Sequence, residues 1–358
     1  MADLESKLEL VMKEPTEEVI TESDLSTLLE TNAHPKHYIG FEISGFLHLG
    51  TLIVSGTKIN DLMKAGVDCK VYLADWHSFI NNKLGRDWEK ILTAAKYYEE
   101  AFKFYCPGVK IVYGSDLYRG NDSYWKDVVR FSTHMTLQRA LRAVTIMGRS
   151  EKEKLDVAQL LYPSMQGTDV KYLGEDMPQG GTDQRKIHVL TREIFPKLGW
   201  KPPVPIHHHL LMGLAKPEEA EGEDKLSQTI AAKMSKSKPW TAIFIHDTEE
   251  EIKSKLHKAW CPERQSEMNP ILELVRYIIF RSKDRFEVER PARYGGDQEF
   301  GSYKELEEAY RKNEIHPADL KSNVARAINE VITPIRSHFE EPSKRRLLEV
   351  YGEAKITR

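Results

Sequence analysis

The sequence predicts an α/β domain built on a mostly parallel sheet, followed by a region of helices alone. Three observations carry this. Short β-prone runs alternate with helical ones over the first 247 residues. A glycine closes the first of the intervening helices. From Thr248 onward helix-start signatures continue while strand-like runs stop. At 358 residues, and roughly 150 residues per domain, the chain has room for two domains.

Each element follows in order. Residues 1–35 read as a helical segment, with TEEVITESDLSTLLE carrying apolar residues at near-helical spacing. HYIGFEIS then reads as a strand. HLGTLIVSGTKINDLMKAG reads as a helix ended by Gly66, since only glycine takes the left-handed position after a helix without strain. CKVYLADWH is a second strand, DWEKILTAAKYYEEAFKFY a helix, VKIVYGSD a third strand and PVPIHHHLLMG a fourth, after further helices. Sheets of this kind hold ligands at the carboxyl ends of their strands. Beyond residue 247, Thr248 with Glu251 and Ser302 with Glu305 have the spacing of capping boxes. AKPEEAEGEDKLSQTIAA, charged and marked by Gly and Pro, reads as a long loop.

Composition narrows the class of protein. A formal charge of −3, with 40% hydrophobic and 30% charged residues, fits an ordinary globular protein. No apolar run reaches the about 18 residues that a membrane span requires, and the acidic, amphipathic N-terminus is unlike a secretory signal. The three cysteines, Cys69, Cys106 and Cys261, are far apart, which points to a reducing, cytoplasmic setting and to no metal site. From Lys321 to Arg358 there are 8 Lys/Arg against 5 Asp/Glu, a slight bias toward an anionic partner.

Chemistry concentrates in a few short stretches. In SGFLHLGT, Gly45 and Gly50 bracket His48 where a strand hands over to a helix, a place suited to an anion. In PQGGTDQRKIH, the pair Gly180–Gly181 lets backbone approach a ligand, and Asp183 can bind ribose hydroxyls. KMSKS sets Lys233 and Lys236 on either side of Met234 and Ser235, with Ser237 following. Together these parts suit a reaction at the α-phosphate of ATP with pyrophosphate leaving. Charge grows on the leaving group, so His48, Lys233 and Lys236 would act most strongly in the transition state. Tyr162, Gln166 and Asp169 stand at i, i+4 and i+7, so in a helix they share one face and form a polar stripe.

HLGT resembles the HIGH motif, and KMSKS is the second motif, of class I aminoacyl-tRNA synthetases. From about Tyr38 to His338 the chain resembles the archaeal and eukaryotic type of tyrosyl-tRNA synthetase, with Thr51 where the first motif ends in histidine. The resemblance implies a Rossmann-like catalytic domain over 36–247, with a helical insertion at about 85–160 and the KMSKS loop at about 215–240, then an α-helical anticodon-binding domain over 248–358. It implies ATP, with Mg²⁺ arriving on it, L-tyrosine and tRNA-Tyr as substrates, a homodimer built through the insertion, and no membrane partner.

Residue roles are implied in the same way. ATP would be bound by Gly40, Glu42, His48, Gly50, Thr51, Gly181, Asp183 and the KMSKS residues Lys233, Met234, Ser235, Lys236 and Ser237. Tyr162, Gln166 and Gln184 would hold the ammonium and carboxylate of tyrosine, Tyr38 and Asp169 its phenolic hydroxyl, and His77 would line the ring pocket. Arg142, Arg185 and Lys186 match readers of the tRNA acceptor end. Arg139, Arg142 and Arg149 recur at helical spacing. Tyr294, His316 and Asp319 match an anticodon site, where an aromatic face stacks a base and a carboxylate reads guanine. Two other readings stay open: a tryptophanyl-tRNA synthetase, and a catalytically silent synthetase-like RNA-binding protein.

Overall fold

The computed structural model describes residues 3–148, 154–174, 176–218 and 225–352. Residues 46–57 and 210–345 form one compact unit and the remaining described residues another; the expected boundary at 247 falls inside the former. Arg149 and part of the 215–240 loop lie outside the described residues.

A six-stranded sheet organises the larger unit: β1 (Thr16–Val19), β2 (Lys36–Phe41), β3 (Asp68–Leu73), β4 (Lys110–Tyr113), β5 (Met177–Gly181) and β6 (Ile206–His208). The spatial order is β1-β6-β5-β2-β3-β4. All neighbours are parallel except β1, which pairs antiparallel with β6. Central strands are buried on both faces, as Ile39 and Val71 on one side and Tyr38 and Tyr72 on the other show, because helices cover a parallel sheet on both sides. From β2 the chain builds outward through β3 and β4, then returns to place β5 on the other side of β2. The order reverses between β2 and β5, so a crevice opens at their carboxyl ends, beyond Phe41 and Gly181.

Two long helices belong to this unit. Trp88–Tyr105 starts on Asp87, whose side chain accepts from the Lys90 N–H at 3.1 Å. It buries Ile91, Ala94, Ala95, Tyr98, Ala101 and Phe102, a stripe at three- and four-residue spacing. Val157–Tyr172 begins with a capping box between Asp156 and Gln159 and continues through Pro163 unbroken. The unbroken helix keeps Tyr162, Gln166 and Asp169 on one face, as their spacing predicts.

In the other unit, the 22-residue helix Pro317–His338 packs on Glu249–Lys258 and buries Leu320, Val324, Ile328, Ile332 and Ile335. Thr248 and Glu251 make the expected reciprocal cap: the Glu251 N–H donates to Thr248 Oγ1 at 3.2 Å, and the Thr248 N–H donates to Glu251 Oε2 at 2.8 Å.

Several sequence readings are corrected. Residues 16–19 form a strand within the segment read as helical, because β6 offers an edge and His207 and His209 bond Glu18 and Glu17 at 2.8 and 2.6 Å. The second strand stops at Leu73, and Asp75–Ile80 is helix, so His77 is helical rather than at a strand end. MPQGG, which carries no β-branched residue, is the central strand β5. The C-terminal region holds a hairpin, β7 (Phe286–Val288) and β8 (Gln298–Phe300). Half of the expected loop before KMSKS is the helix Lys225–Ala232. Ser302 caps its helix, but Glu305 reaches the Gly301 N–H instead of closing a box.

Candidate active site

Asp169 sits at the bottom of a buried cluster of aromatic hydroxyls in the larger unit. Its Oδ1 accepts from Tyr118 OH at 2.9 Å and from Tyr124 OH at 2.8 Å, and Tyr118 OH lies 2.5 Å from Tyr72 OH. Oδ2 faces His77 Nε2 at 3.5 Å, and neither atom has a hydrogen-bond partner among the described residues. Burial pushes the Asp169 carboxyl up to about 7, against the pull of the tyrosine hydroxyls that favour its charged form. Burial also holds His77 down at about 3, so its ring is neutral. Tyr38 is buried edge-on to Tyr72, with ring centroids 6.3 Å apart, and the His77 ring stands edge-on to Tyr162 at 4.5 Å. Gly40 admits this arrangement: a Cβ there would come within 3.3 Å of the Tyr72 ring.

At the β2 end of the crevice, Glu42 gathers three donors. Tyr162 OH donates at 2.8 Å, Asn81 Nδ2 at 2.8 and 3.0 Å, and Lys83 Nζ stands 3.4 Å away. Asn81 also donates to the Met147 carbonyl, which fixes its amide. At the β5 end, Gln166 Nε2 donates to Gln184 Oε1 at 3.0 Å, and Gln184 donates to the Ile146 carbonyl. Gln166 Oε1 and Thr182 Oγ1 are buried without partners among the described residues. Gly180 serves packing here, because a Cβ would stand 2.7 Å from that of Gln184. Asp183 follows in the 3₁₀ turn Thr182–Gln184.

HLGT and KMSKS both belong to the smaller unit. Residues 47–49 pair with 243–245, through Leu49 N–H to Ile243 O at 3.0 Å and Ile245 N–H to Leu47 O at 3.1 Å. This pairing holds His48 in place. Burial, then the ammonium groups of Lys236 and Lys233, push its pKa down to about 3, leaving a neutral ring beside two cations. Thr51 Oγ1 lies 3.0 Å from His48 Nε2, so the departure from the HIGH motif orients the histidine. The Thr51 and Leu52 N–H groups donate to the His48 carbonyl, and so these amides of the helix start are already engaged. Met234 is the pin of the pentamer: it is 4% exposed, and its N–H donates to Leu211 O at 2.7 Å. Ser235 and Ser237 hydroxyls bond each other at 2.9 Å, shaping the turn that carries Lys236. One methionine anchors the loop, and the lysines on either side remain half-buried.

The expected RNA-reading residues lie on the surface. Arg185 Nε donates to both carboxylate oxygens of Glu18, at 3.0 and 2.9 Å, and Lys186 Nζ reaches Thr145 Oγ1 at 3.4 Å. Arg142 lies in the last turn of Leu137–Ala143, and Arg139 of that helix is paired with Glu193. In the smaller unit Tyr294 is 57% exposed, under the Arg293 guanidinium at 4.8 Å. His316 caps the helix that contains Asp319. Arg290 donates to both Gly296 O and Glu314 O, tying the Tyr294 turn to the segment before His316.

Five site residues escaped the sequence reading: Tyr72, Tyr118, Tyr124, Asn81 and Lys83. The tyrosines lie on three different elements, so no local period marks them. The run YGSDLYRGNDSY, which holds Tyr118 and Tyr124 after Tyr113, is a signal for two of them.

The arrangement has known counterparts. A family model for class I tRNA synthetases (W and Y) matches residues 30–333. A tyrosine–tRNA ligase of Thermococcus kodakarensis is 45% identical over 99% of this chain and all of its own length; that of Pyrococcus furiosus is 43% identical with the same coverage. The crystal structure of tyrosyl-tRNA synthetase complexed with L-tyrosine from Pyrococcus horikoshii superposes with a TM-score of 0.91 at 43% identity, covering 97% of this chain and 100% of that one. A tryptophanyl-tRNA synthetase from Aeropyrum pernix shares the fold, with a TM-score of 0.68 at 18% identity over 94% and 86% of the chains. Fold, motifs and full-length relatives agree: this chain belongs to the class I tRNA synthetases of the W and Y family.

Proposed function

We propose that the chain is a tyrosine–tRNA ligase, which joins L-tyrosine to ATP as tyrosyl-adenylate and then passes the tyrosyl group to the 3′ end of tRNA-Tyr. One observation carries the choice of amino acid. The buried end of the polar stripe presents an acceptor, Asp169 Oδ2, beside a neutral imidazole nitrogen, and both lack partners among the described residues. A phenolic hydroxyl is one donor with two acceptor lone pairs and answers both. Tyr38 lines the same cluster and takes the remaining lone pair. Gln166, Gln184 and Tyr162, the last held by Glu42, supply polar groups for the ammonium and carboxylate.

Activation needs no nucleophile from the protein. A carboxylate oxygen of tyrosine attacks the α-phosphorus, the bond to the bridging oxygen breaks, and pyrophosphate leaves with the electron pair. Lys233, Lys236 and His48 meet the charge that develops, and Thr51 orients His48. Gly40, Gly50, Gly181, Asp183, Met234, Ser235 and Ser237 complete the nucleotide-binding set. Mg²⁺ belongs to the nucleotide substrate. In the second step a terminal ribose hydroxyl attacks the acyl carbonyl and AMP leaves. Arg142, Arg185 and Lys186 take the acceptor end, and Tyr294, His316 and Asp319 take the anticodon. The catalytic domain spans 36–247 and the anticodon domain 248–358, and the enzyme works as a homodimer in the cytoplasm. ATP–pyrophosphate exchange, measured with each of the twenty amino acids, tests the reading. Exchange with tyrosine alone supports it, whereas exchange driven by tryptophan, or by none, overturns it.

A further inference from the structure

Asp169 is a carboxylate with two oxygens treated unequally. Oδ1 accepts two hydroxyl donors, Tyr118 at 2.9 Å from the helix Gly114–Tyr118 and Tyr124 at 2.8 Å from the helix Asp122–Ser132. Behind Tyr118 stands Tyr72 of β3, 2.5 Å away. Tyr72 is itself held tightly: a Cβ on Gly114 would lie 2.8 Å from its hydroxyl oxygen and 2.6 Å from Asp75 Oδ1. Asp75 in turn accepts from the Ser115 and Trp76 N–H groups, so the helix that carries Tyr118 starts on a buried carboxylate. Oδ2 has no hydrogen-bond partner among the described residues and faces His77 Nε2 at 3.5 Å.

We propose that Tyr118 and Tyr124 are positioning residues, which together take up Asp169 Oδ1 and so reserve Oδ2 for the hydroxyl of the amino-acid substrate. This rests on the tyrosine ligase reading and deepens it. A carboxylate free to turn would share both oxygens among neighbouring hydroxyls and present no fixed acceptor. With Oδ1 committed, the remaining lone pairs of Oδ2 have one direction, toward the pocket. Burial pushes the carboxyl up to about 7, and the Tyr124 and Tyr118 hydroxyls, with a smaller pull from Tyr72, act against it by favouring the charged form. The ionisable groups facing Asp169 are Tyr38 from β2, Tyr72 from β3, Asp75 and His77 from the helix Asp75–Ile80, Tyr118, Tyr124, and Tyr162 from its own helix. Asp75 acts in the opposite sense, as a like charge that raises the Asp169 pKa. His77 is neutral and adds no compensating charge.

The test replaces only the hydroxyls, in Tyr118→Phe and Tyr124→Phe, which keep the packed rings. Tyrosine binding is measured by equilibrium dialysis between pH 6 and 8.5, with phenylalanine-dependent exchange and thermal melting followed in parallel. Each variant is expected to move the acid limb of tyrosine binding upward by about one pH unit, the scale of one hydrogen bond to a charged group. Tyrosine then binds about five-fold more weakly than to the parent at pH 7, and within about two-fold of it at pH 8.5. Phenylalanine, which has no hydroxyl to donate, shows no such limb. A variant that weakens tyrosine equally at every pH, or leaves it unchanged, overturns the positioning role while the ligase reading stands. A parent enzyme without tyrosine-dependent exchange removes both.

Discussion

Asp169 Oδ2 and His77 Nε2 lie 3.5 Å apart, buried, and neither has a hydrogen-bond partner among the described residues. Unmet polar atoms in a dry setting cost roughly 1–3 kcal/mol each. A single ligand hydroxyl relieves both, by donating to the carboxylate and accepting from the ring. The pocket is therefore less stable empty than filled, and its stability depends on pH.

The sign of that dependence follows from Asp169. Burial raises its carboxyl from the ordinary 3.8 to about 7, so the folded state holds this proton more tightly than the unfolded chain does. The stabilising contribution is complete below about pH 4 and is lost as pH rises through about 7. Asp169→Asn has no charge to bury. The variant is expected to gain on the parent by about 1–3 kcal/mol between pH 5 and pH 8, in melting experiments without ligand. An identical stability difference at both pH values would place the Asp169 ionisation elsewhere.

Replacing Lys233 or Lys236 by Ala is expected to slow adenylate formation by roughly 10²- to 10³-fold, the cost of losing one transition-state donor. Equilibrium tyrosine binding should barely change, because neither lysine belongs to the amino-acid pocket. Single-turnover kinetics give the first quantity and dialysis the second. Near-normal rates in either variant would remove the lysines from the phosphate chemistry.

Thr51→Val removes the hydroxyl 3.0 Å from His48 Nε2 and keeps the side chain's shape. One neutral hydrogen bond is worth about 0.5–1.5 kcal/mol, so activation should fall by about two- to ten-fold with little change in melting temperature. No loss of rate would mean that the pairing of 47–49 with 243–245 orients His48 unaided.

Asp319→Ala is expected to weaken charging of tRNA-Tyr while pyrophosphate exchange stays intact. The loss should shrink on a transcript whose first anticodon base is not guanine. Equal losses on both transcripts would point to damage in the helix that Asp319 helps to begin.

The legible parts of this protein are those with local signals. The face shared by Tyr162, Gln166 and Asp169 needs only helical spacing, and Pro163 did not disturb it. KMSKS, with one apolar pin between lysines, announces its chemistry in five residues. Where tertiary pairing decides, the sequence reads poorly. Residues 16–19 look helical until β6 supplies an edge and two histidines for their glutamates. MPQGG has no strand propensity and becomes a central strand because β2 and β6 hold it on both sides. The hydroxyls around Asp169 come from elements up to about a hundred residues apart, and only the folded chain brings them together.

The most direct measurement compares tyrosine- and phenylalanine-dependent exchange on purified Asp169→Ala. A site built to bond a hydroxyl rejects phenylalanine because its own polar groups are then left unpaired. Tyrosyl-tRNA synthetases are themselves the standard example of that effect. With the carboxylate gone, tyrosine activation should fall steeply and phenylalanine activation much less, collapsing the ratio of the two by at least ~10-fold. Equal falls for both amino acids, or no fall for either, would contradict the assignment of Asp169 as the reader of the hydroxyl.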